Sequence, residues 1–448
     1  MIIYEGKYTT VDVMTDEIDV ETANQINHFI NDQSFTGPVK IMPDCHYGKG
    51  AVIGFTMPLG DRVIPETIGV DIACGLRTVI LECDRAALEG FKTREFDSKI
   101  RKLIKVGNKV YDKPVVNIER KLPWEKINMV AGLMTVKLND KLGASFKSPK
   151  LNFEYFKSMC KKIGEDPWYA QCSCGSLGGG NHYIEIGHEE APGGNDGLGY
   201  VSVHSGSRHL GLMVAKYWQN TAVERMKDKS TDSYFDSVKA IQLNFPRNEW
   251  ESRIHELKDS PKVSKGLEWL EGEDMLNYLY DSIICYHFAL ASRAYMADVI
   301  IEALDVAKFG ADSKIKVKDC IDTVHNYISP YDLIIRKGAV SAHANGEILV
   351  IPLNMEDGIL ICEGLGNPDW NFSAPHGAGR LMSRTQAKEH LNQEEAKESM
   401  KSKGIFSSVL PKDELKGAYK SSQMIIDSIA PTARIMFHMK PIINFKGG

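Results

Sequence analysis

Two side chains three positions apart open the chemistry of this chain. In GVDIACG, Gly69 to Gly75, Asp71 and Cys74 offer a carboxylate oxygen and a sulfur at the end of an apolar strand, donors that one divalent ion can share. Alone, such a pair is ordinarily a turn aspartate beside a buried cysteine. Four of the thirteen histidines add weight. His182, His204, His325 and His376 lie in turns rich in Gly, Ser or Asn at strand ends, where backbone can approach a ligand closely. His255, His287 and His390 fall in helical stretches and read as packing or surface residues. His182 follows a glycine run and Asn181. His204 precedes a Ser-Gly-Ser-Arg turn ending at Arg208, which resembles an anion cradle opening a helix. Asn326 follows His325. Thiolate and imidazole are soft to borderline donors, so ligand chemistry by itself favours zinc or a mixed site.

His376 stands immediately before Gly377-Ala378-Gly379, with Arg380 and Arg384 beyond. The spacing predicts a helix starting near Gly377. Its plain reading is a histidine that caps the helix. Its chemical reading is that end amides and Arg380 bind phosphate while a neutral imidazole, with a reference pKa of about 6.5, attacks phosphorus.

Strands and tight turns must deliver these groups. Short β-branched runs separated by Gly and Pro extend from Val52 to Ile80, reappear between Cys174 and Gly211, and return from Ile321 to Leu360. Helical spacing is expected from Gly211 to about Lys227, and one long helix from about Leu267 to Phe309 with a break near Gly272. No internal repeat or low-complexity linker interrupts the chain. The expectation is a mixed α/β (α+β) fold, one integrated unit over residues 1–448 with central sheets, surrounding helices and one long helix.

At 448 residues, 43% hydrophobic and 25% charged, the chain can bury a core without disulfides, and long disorder, collagen and coiled coil are excluded. No stretch approaches the roughly 20 apolar residues of a membrane helix, the N-terminal residues do not read as an export signal, and nine sparse cysteines suit a reducing compartment. A soluble, cytoplasmic, monomeric protein is expected. Its net charge of −5 exerts no general pull on nucleic acid, yet residues 91–150 carry 15 Lys and Arg against 6 Asp and Glu, a local +9. That segment is either a solvated helical face or a platform for phosphates.

Nine blocks then occur together: MPDCHYGKGAVIG (Met42 to Gly54), GVDIACG, GSLGGGNHYIE (Gly175 to Glu185), HSGSR (His204 to Arg208), His325-Asn326, RKGAVSA (Arg336 to Ala342), HGAGR with MSR (His376 to Arg384), AYK (Ala418 to Lys420) and the late Lys446-Gly447. From about residue 40 onward, the chain resembles the RtcB family of RNA-splicing ligases, whose motifs have this order. The resemblance implies an RtcB-like fold and a GTP-dependent enzyme with two Mn²⁺ ions. Such an enzyme joins RNA 3′-phosphate or 2′,3′-cyclic phosphate ends to 5′-hydroxyl ends, in tRNA splicing or RNA repair. By motif, Cys74 would bridge the ions, one also held by Asp71 and His182 and the other by His204 and His325. His376 would carry GMP as a phosphoramidate. Asn181, Asn326, Gly377, Ala378 and Gly379 would bind the nucleotide, with Glu185 and Lys446 on the guanine edge and Tyr183 and Tyr419 lining the base pocket. Arg208 and Arg380 would hold phosphate or RNA.

One region departs from the family. Where a Pro-Gly-x-Met-Gly turn and a guanine-touching serine are usual, this chain has Pro352-Leu353-Asn354-Met355-Glu356 and then Ile359. Nucleotide preference is expected to change there. The alternative class is a metal-dependent phosphatase or end-processing enzyme acting on RNA or DNA 3′ ends.

Overall fold

The computed structural model describes residues 1–83, 88, 92–190, 197–258, 264–309 and 315–447. Phe91, at the start of the basic segment, and Gly448 lie outside these residues. In chain order the strands are β1 (Ile2–Glu5), β2 (Thr10–Val13), β3 (Val39–His46), β4 (Ile53–Pro58), β5 (Arg62–Val63), β6 (Gly75–Leu81), β7 (Tyr183–Glu189) and β8 (Gly199–Ser205). There follow β9 (Leu270–Glu271), β10 (Val317–Val324), β11 (Asn326–Ile328), β12 (Ile334–Lys337), β13 (Ala339–Ser341), β14 (Ile348–Asn354), β15 (Gly358–Gly364), β16 (Ser373–Pro375) and β17 (Ala433–Lys446).

The fold is mixed α/β, with central sheets and surrounding helices. One large sheet has the order β1-β2-β3-β4-β12-β11 and a second β10-β6-β8-β7-β17-β15-β14, while β13 pairs with β16 and β5 with β9 in two-stranded sheets. Every pairing in the seven-stranded sheet is antiparallel. Its outer strands are linked to each other, since Val350 N–H donates to Thr323 Oγ1 at 3.1 Å.

The sequence GYVSVHS of β8 is buried at all seven positions, as a central strand covered on both faces must be. Side chains alternate across a strand. Val201 and Val203 meet Met296, Ala297 and Ile300 of the helix Gly272–Phe309, while Tyr200 points the other way, into a cluster with Leu76, Ile359 and Ile361. The long helix is therefore the scaffold that backs the sheet.

Three expectations need correction. The helix expected at Gly211 runs from Arg208 to Asn244, because the last residue of the cradle turn is already its first residue, with Ser207 as N-cap. Residues 270–271 form a strand, and the long helix begins at Gly272 rather than breaking there; Gly272 has φ +57°, a left-handed conformation suited to glycine. No helix starts at Gly377. Residues 377–379 are irregular, Arg380 bridges to Tyr419, and the next helix is Arg384–His390. Ser383 and Gln386 cap that helix in a reciprocal box.

Candidate active site

Antiparallel pairing sets the starts and ends of neighbouring strands side by side, and the candidate ligands use one such edge. Cys74 precedes β6, His182 precedes β7, His204 lies near the end of β8, and His325 follows β10. These strands are adjacent in the order β10-β6-β8-β7, and the register places Leu76 opposite His204 and His204 opposite Tyr183. A linear separation of some 250 residues collapses to a few ångströms. Cys74 Sγ lies 3.3 Å from His204 Nε2 and 3.5 Å from His182 Nε2. His204 and His325 bring their Nε2 atoms to 3.4 Å, and Asp71 Oδ2 lies 2.9 Å from His182 Nε2.

Two donor sets result, Asp71/Cys74/His182 and Cys74/His204/His325. Within each, the candidate atoms lie within 4.8 Å of one another, and Cys74 is common to both. The outer contacts orient the rings. His182 Nδ1–H donates to Leu177 O at 2.9 Å and His204 Nδ1–H to Asn181 O at 3.2 Å, leaving both Nε2 lone pairs for an ion. Burial drives His204 and His325 well below the usual imidazole pKa, so both rings are neutral donors. Burial, reinforced by Asp71, pushes the Cys74 thiol up, a cost that a divalent ion at the sulfur reverses. Burial also works against the Asp71 carboxylate, but His182, Cys74 and Arg208 outweigh it and hold its pKa below the ordinary range. The residues fit a pair of divalent ions sharing one thiolate.

Beneath this edge lies Arg293, on the long helix and fully buried. Its Nη1 donates to Ala73 O at 3.0 Å and Ser205 O at 2.7 Å. One guanidinium thus ties the residue before Cys74 to the residue after His204. At Gly206, a Cβ would fall 1.9 Å from Asp71 Oδ1, so the close approach of this turn to Asp71 requires glycine.

His376 arrives from the other side. It follows β16, and its ring centroid is 4.9 Å from that of His325. Asp44, on β3 of the six-stranded sheet, accepts from His376 Nδ1–H at 2.7 Å through Oδ2. A Cβ on Gly379 would meet Asp44 O at 2.0 Å, so the Gly-Ala-Gly run serves close backbone packing rather than a helix start. Lys337 Nζ donates to the carbonyls of Lys49 and Glu66, and burial lowers its pKa to about 8. Burial also lowers His46 to about 4.

Cysteine, histidines and carboxylates open into a cleft of about 830 Å³, lined at its far end by Glu185, Leu353, Met355, Tyr419, Asn444 and Lys446. Strand pairing explains two of these neighbours, since Tyr183 lies opposite Lys446 and Glu185 opposite Asn444. Burial lifts Glu185 to about 7 against the opposing pull of Tyr200 and Lys446; Tyr200 donates to it at 2.5 Å. Lys446 points its ammonium at Glu414 Oε2, 3.0 Å away. Glu414 also accepts from Tyr419 at 2.6 Å and from Arg384 at 2.8 Å. Burial opposes its charge, but Lys446, Tyr419 and Arg384 prevail and hold its pKa at about 2.

All five proposed ligands and His376 are thus brought together, and Glu185, Asn181, Asn326, Gly377, Ala378, Gly379, Tyr419 and Lys446 line the same cleft. Arg380 lines it too, but its guanidinium is turned onto Asp413 O at 2.7 Å and toward Glu414. Arg208 does not line the cleft; it donates to Gly107 O and Ser176 Oγ. Ile359 is buried in the core cluster with Leu76 and Tyr200. Glu356 pairs with Lys403 and Ser399. Sequence reading assigned no role to Asp44, Arg293 or Glu414. Asp44 alone carried a signal, as the acid inside MPDCHYGKG.

The family profile described as tRNA-splicing ligase RtcB matches residues 25–447. The RNA-splicing ligase RtcB of Escherichia coli K12 is 25% identical over 91% of this chain and 90% of its own length. The tRNA-splicing ligase RtcB of Aeropyrum pernix is 25% identical over 91% and 87%. An RNA-splicing ligase RtcB homolog of Entamoeba dispar is 23% identical over 91% and 78%.

Proposed function

The chain belongs to the tRNA-splicing ligase RtcB family, and on that premise we propose that it is a GTP- and Mn²⁺-dependent ligase. It would join RNA 3′-phosphate or 2′,3′-cyclic phosphate ends to 5′-hydroxyl ends. The observation that carries this reading is the pairing of His376 with Asp44 beside the two donor sets. With Nδ1–H committed to a carboxylate, Nε2 keeps its lone pair for attack.

Two Mn²⁺ ions, one on Asp71, Cys74 and His182 and the other on Cys74, His204 and His325, would neutralise phosphoryl charge when bound. His376 Nε2 forms a bond to the α-phosphorus of GTP as the bond to pyrophosphate breaks. An RNA 3′-phosphate oxygen then takes the guanylyl group, breaking the P–N bond, and a 5′-hydroxyl attacks the RNA phosphorus and expels GMP. A cyclic phosphate must first be hydrolysed to a 3′-phosphate. Asn181, Asn326 and the 377–379 backbone would hold the nucleotide phosphates. The Glu185 carboxylate would accept from guanine N1 and N2 protons, and Lys446 would serve O6. Arg208, Arg380 and the basic face of residues 92–150 would meet RNA phosphates. We assign the whole chain to one catalytic unit working as a cytoplasmic monomer, in tRNA splicing or RNA repair. Among the described residues no helix is long and apolar enough to cross a membrane.

Incubation with α-labelled GTP and Mn²⁺ tests this. An acid-labile, alkali-stable adduct absent from His376→Ala is expected. No adduct, or one that survives the substitution, overturns it. Labelled ATP in parallel reads the effect of the altered Leu353/Glu356/Ile359 region on nucleotide choice. A joined RNA product excludes an end-processing phosphatase.

A further inference from the structure

Outside the cleft, exposed aromatic rings stand beside the metal-ligand turn. Trp168 and Tyr169 are 55% and 37% exposed, on the short helix Pro167–Ser173. Consecutive helical residues point about 100° apart, so the two rings occupy adjoining faces. Tyr169 is fixed edge-to-face against His209, with ring centroids 5.5 Å apart and planes at 87°. His209 is held in turn by the buried Glu165, Nδ1 to Oε2 at 2.6 Å. An isolated exposed aromatic needs no explanation, but the tethered Tyr169 ring is preorganised.

Its position gives it meaning. His209 follows Arg208, which lies beside the candidate ligands: a Cβ on Gly178 would meet both Arg208 Nη1 at 2.0 Å and His182 Nδ1 at 2.6 Å. Arg208 Nη2 also donates to Gly107 O at 2.7 Å. Gly107 opens a loop anchored to the same helix, with Tyr111 N–H donating to Cys172 O at 3.0 Å. On that loop Lys109 and Lys113 are exposed. Rings, a metal-proximal arginine and solvent-facing lysines therefore form one path away from Asp71. This combination suits a single-stranded nucleic acid, in which base faces stack on aromatics and phosphates meet ammonium groups. An apolar peptide would leave the lysines without partners.

We propose that Tyr169, backed by His209, and the adjoining Trp168 form a stacking subsite for an RNA base next to the reacting end, with Lys109 and Lys113 contacting the strand's phosphates. This inference rests on the RNA-ligase reading for its substrate. Stacking is sequence-tolerant, so the subsite positions an RNA end without choosing its bases.

The test measures binding of a short fluorescent single-stranded RNA bearing a 3′-phosphate, by anisotropy at several salt concentrations without GTP. Tyr169→Ala and Trp168→Ala should each weaken binding about tenfold with an unchanged salt slope, whereas Lys109→Ala with Lys113→Ala should reduce the slope. Tyr169→Phe should bind within about twofold of the parent, since stacking needs the ring and not the hydroxyl. Equal binding by Tyr169→Ala and the parent, or equal loss in Tyr169→Phe and Tyr169→Ala, overturns the subsite. Labelling with GTP alone should be normal in Tyr169→Ala, which also shows that the variant is folded. Failure of the parent to label would instead strike at the ligase reading, leaving the RNA-binding comparison to be read separately.

Discussion

Asp44, on β3 of the six-stranded sheet, and His376, 332 positions away just past β16, share a 2.7 Å hydrogen bond. The carboxylate is fully buried and fixes which nitrogen of the imidazole faces the cleft. The ring is thereby held through Nδ1, leaving Nε2 unengaged by this carboxylate.

Asp44→Asn keeps the shape but removes the anionic acceptor. The ring is then free to place its proton on Nε2, where it blocks attack. Formation of the nucleotide adduct should slow at least about 100-fold, with little change in GTP affinity. Rapid-quench labelling gives the rate and calorimetry the affinity.

Loss of the shared thiolate should differ from loss of a terminal ligand. Cys74→Ala should abolish stable occupancy of both metal positions, while His182→Ala and His325→Ala each retain one ion. Metal content after dialysis, measured by mass spectrometry, reads this without relying on catalysis. Mn²⁺ should raise the melting temperature of the parent by mass action and leave that of Cys74→Ala unmoved.

Arg293 ties the carbonyls of Ala73 and Ser205, which flank the candidate metal ligands Cys74 and His204. Arg293→Met leaves Ala73 O and Ser205 O without their donor and should cost about 3 kcal/mol in urea unfolding. Arg293→Lys, which keeps the charge but not the fork, should recover part of that stability.

Glu185 gives a pH signature. Burial lifts its folded pKa to about 7 from 4.5, so between those values the folded protein binds more protons than the unfolded chain. Stability falls as pH climbs through that window. The melting temperature of Glu185→Gln relative to the parent should rise from pH 4.5 to 7 and then level off. GMP affinity should weaken in the parent below pH 7, as the carboxylate that accepts guanine protons is lost, and stay flat in the variant.

Glu414 behaves in the opposite sense. Its folded pKa of about 2, against 4.5, means that its charge stabilises the fold above pH 4.5 and that this contribution disappears as pH falls toward 2. Glu414→Gln should cost about 3 kcal/mol at pH 7, a deficit that shrinks on acidification. Urea unfolding at pH 7 and pH 3 makes the comparison.

Residues whose chemistry depends on local setting were legible in the sequence. Histidines in glycine-rich turns, Cys74 three places after Asp71, and β-branched runs between turns all declared themselves. What stayed hidden acts over long separations. Arg293 looks like any arginine on an amphipathic helix until the sheet is laid over it. Glu414 sits in an ordinary acidic stretch, and only the fold gathers Arg384, Tyr419 and Lys446 around its carboxylate. The helix expected at Gly377 failed for a related reason. Local glycines matched a helix-start pattern, but the backbone of β3 presses against Gly379.

Strand β17 carries a consequence for how the protein is made. It lies between β7 and β15, so a strand near residue 440 must slot into the interior of a sheet whose other members precede it. Until that strand has been synthesised, β7 and β15 each present an unpaired edge, open to pairing with another chain. Lys446, at the end of β17, reaches the cleft only after insertion. A chain in which that strand is not yet in place is accordingly expected to need chaperone protection, and the cleft is complete only once the strand is inserted.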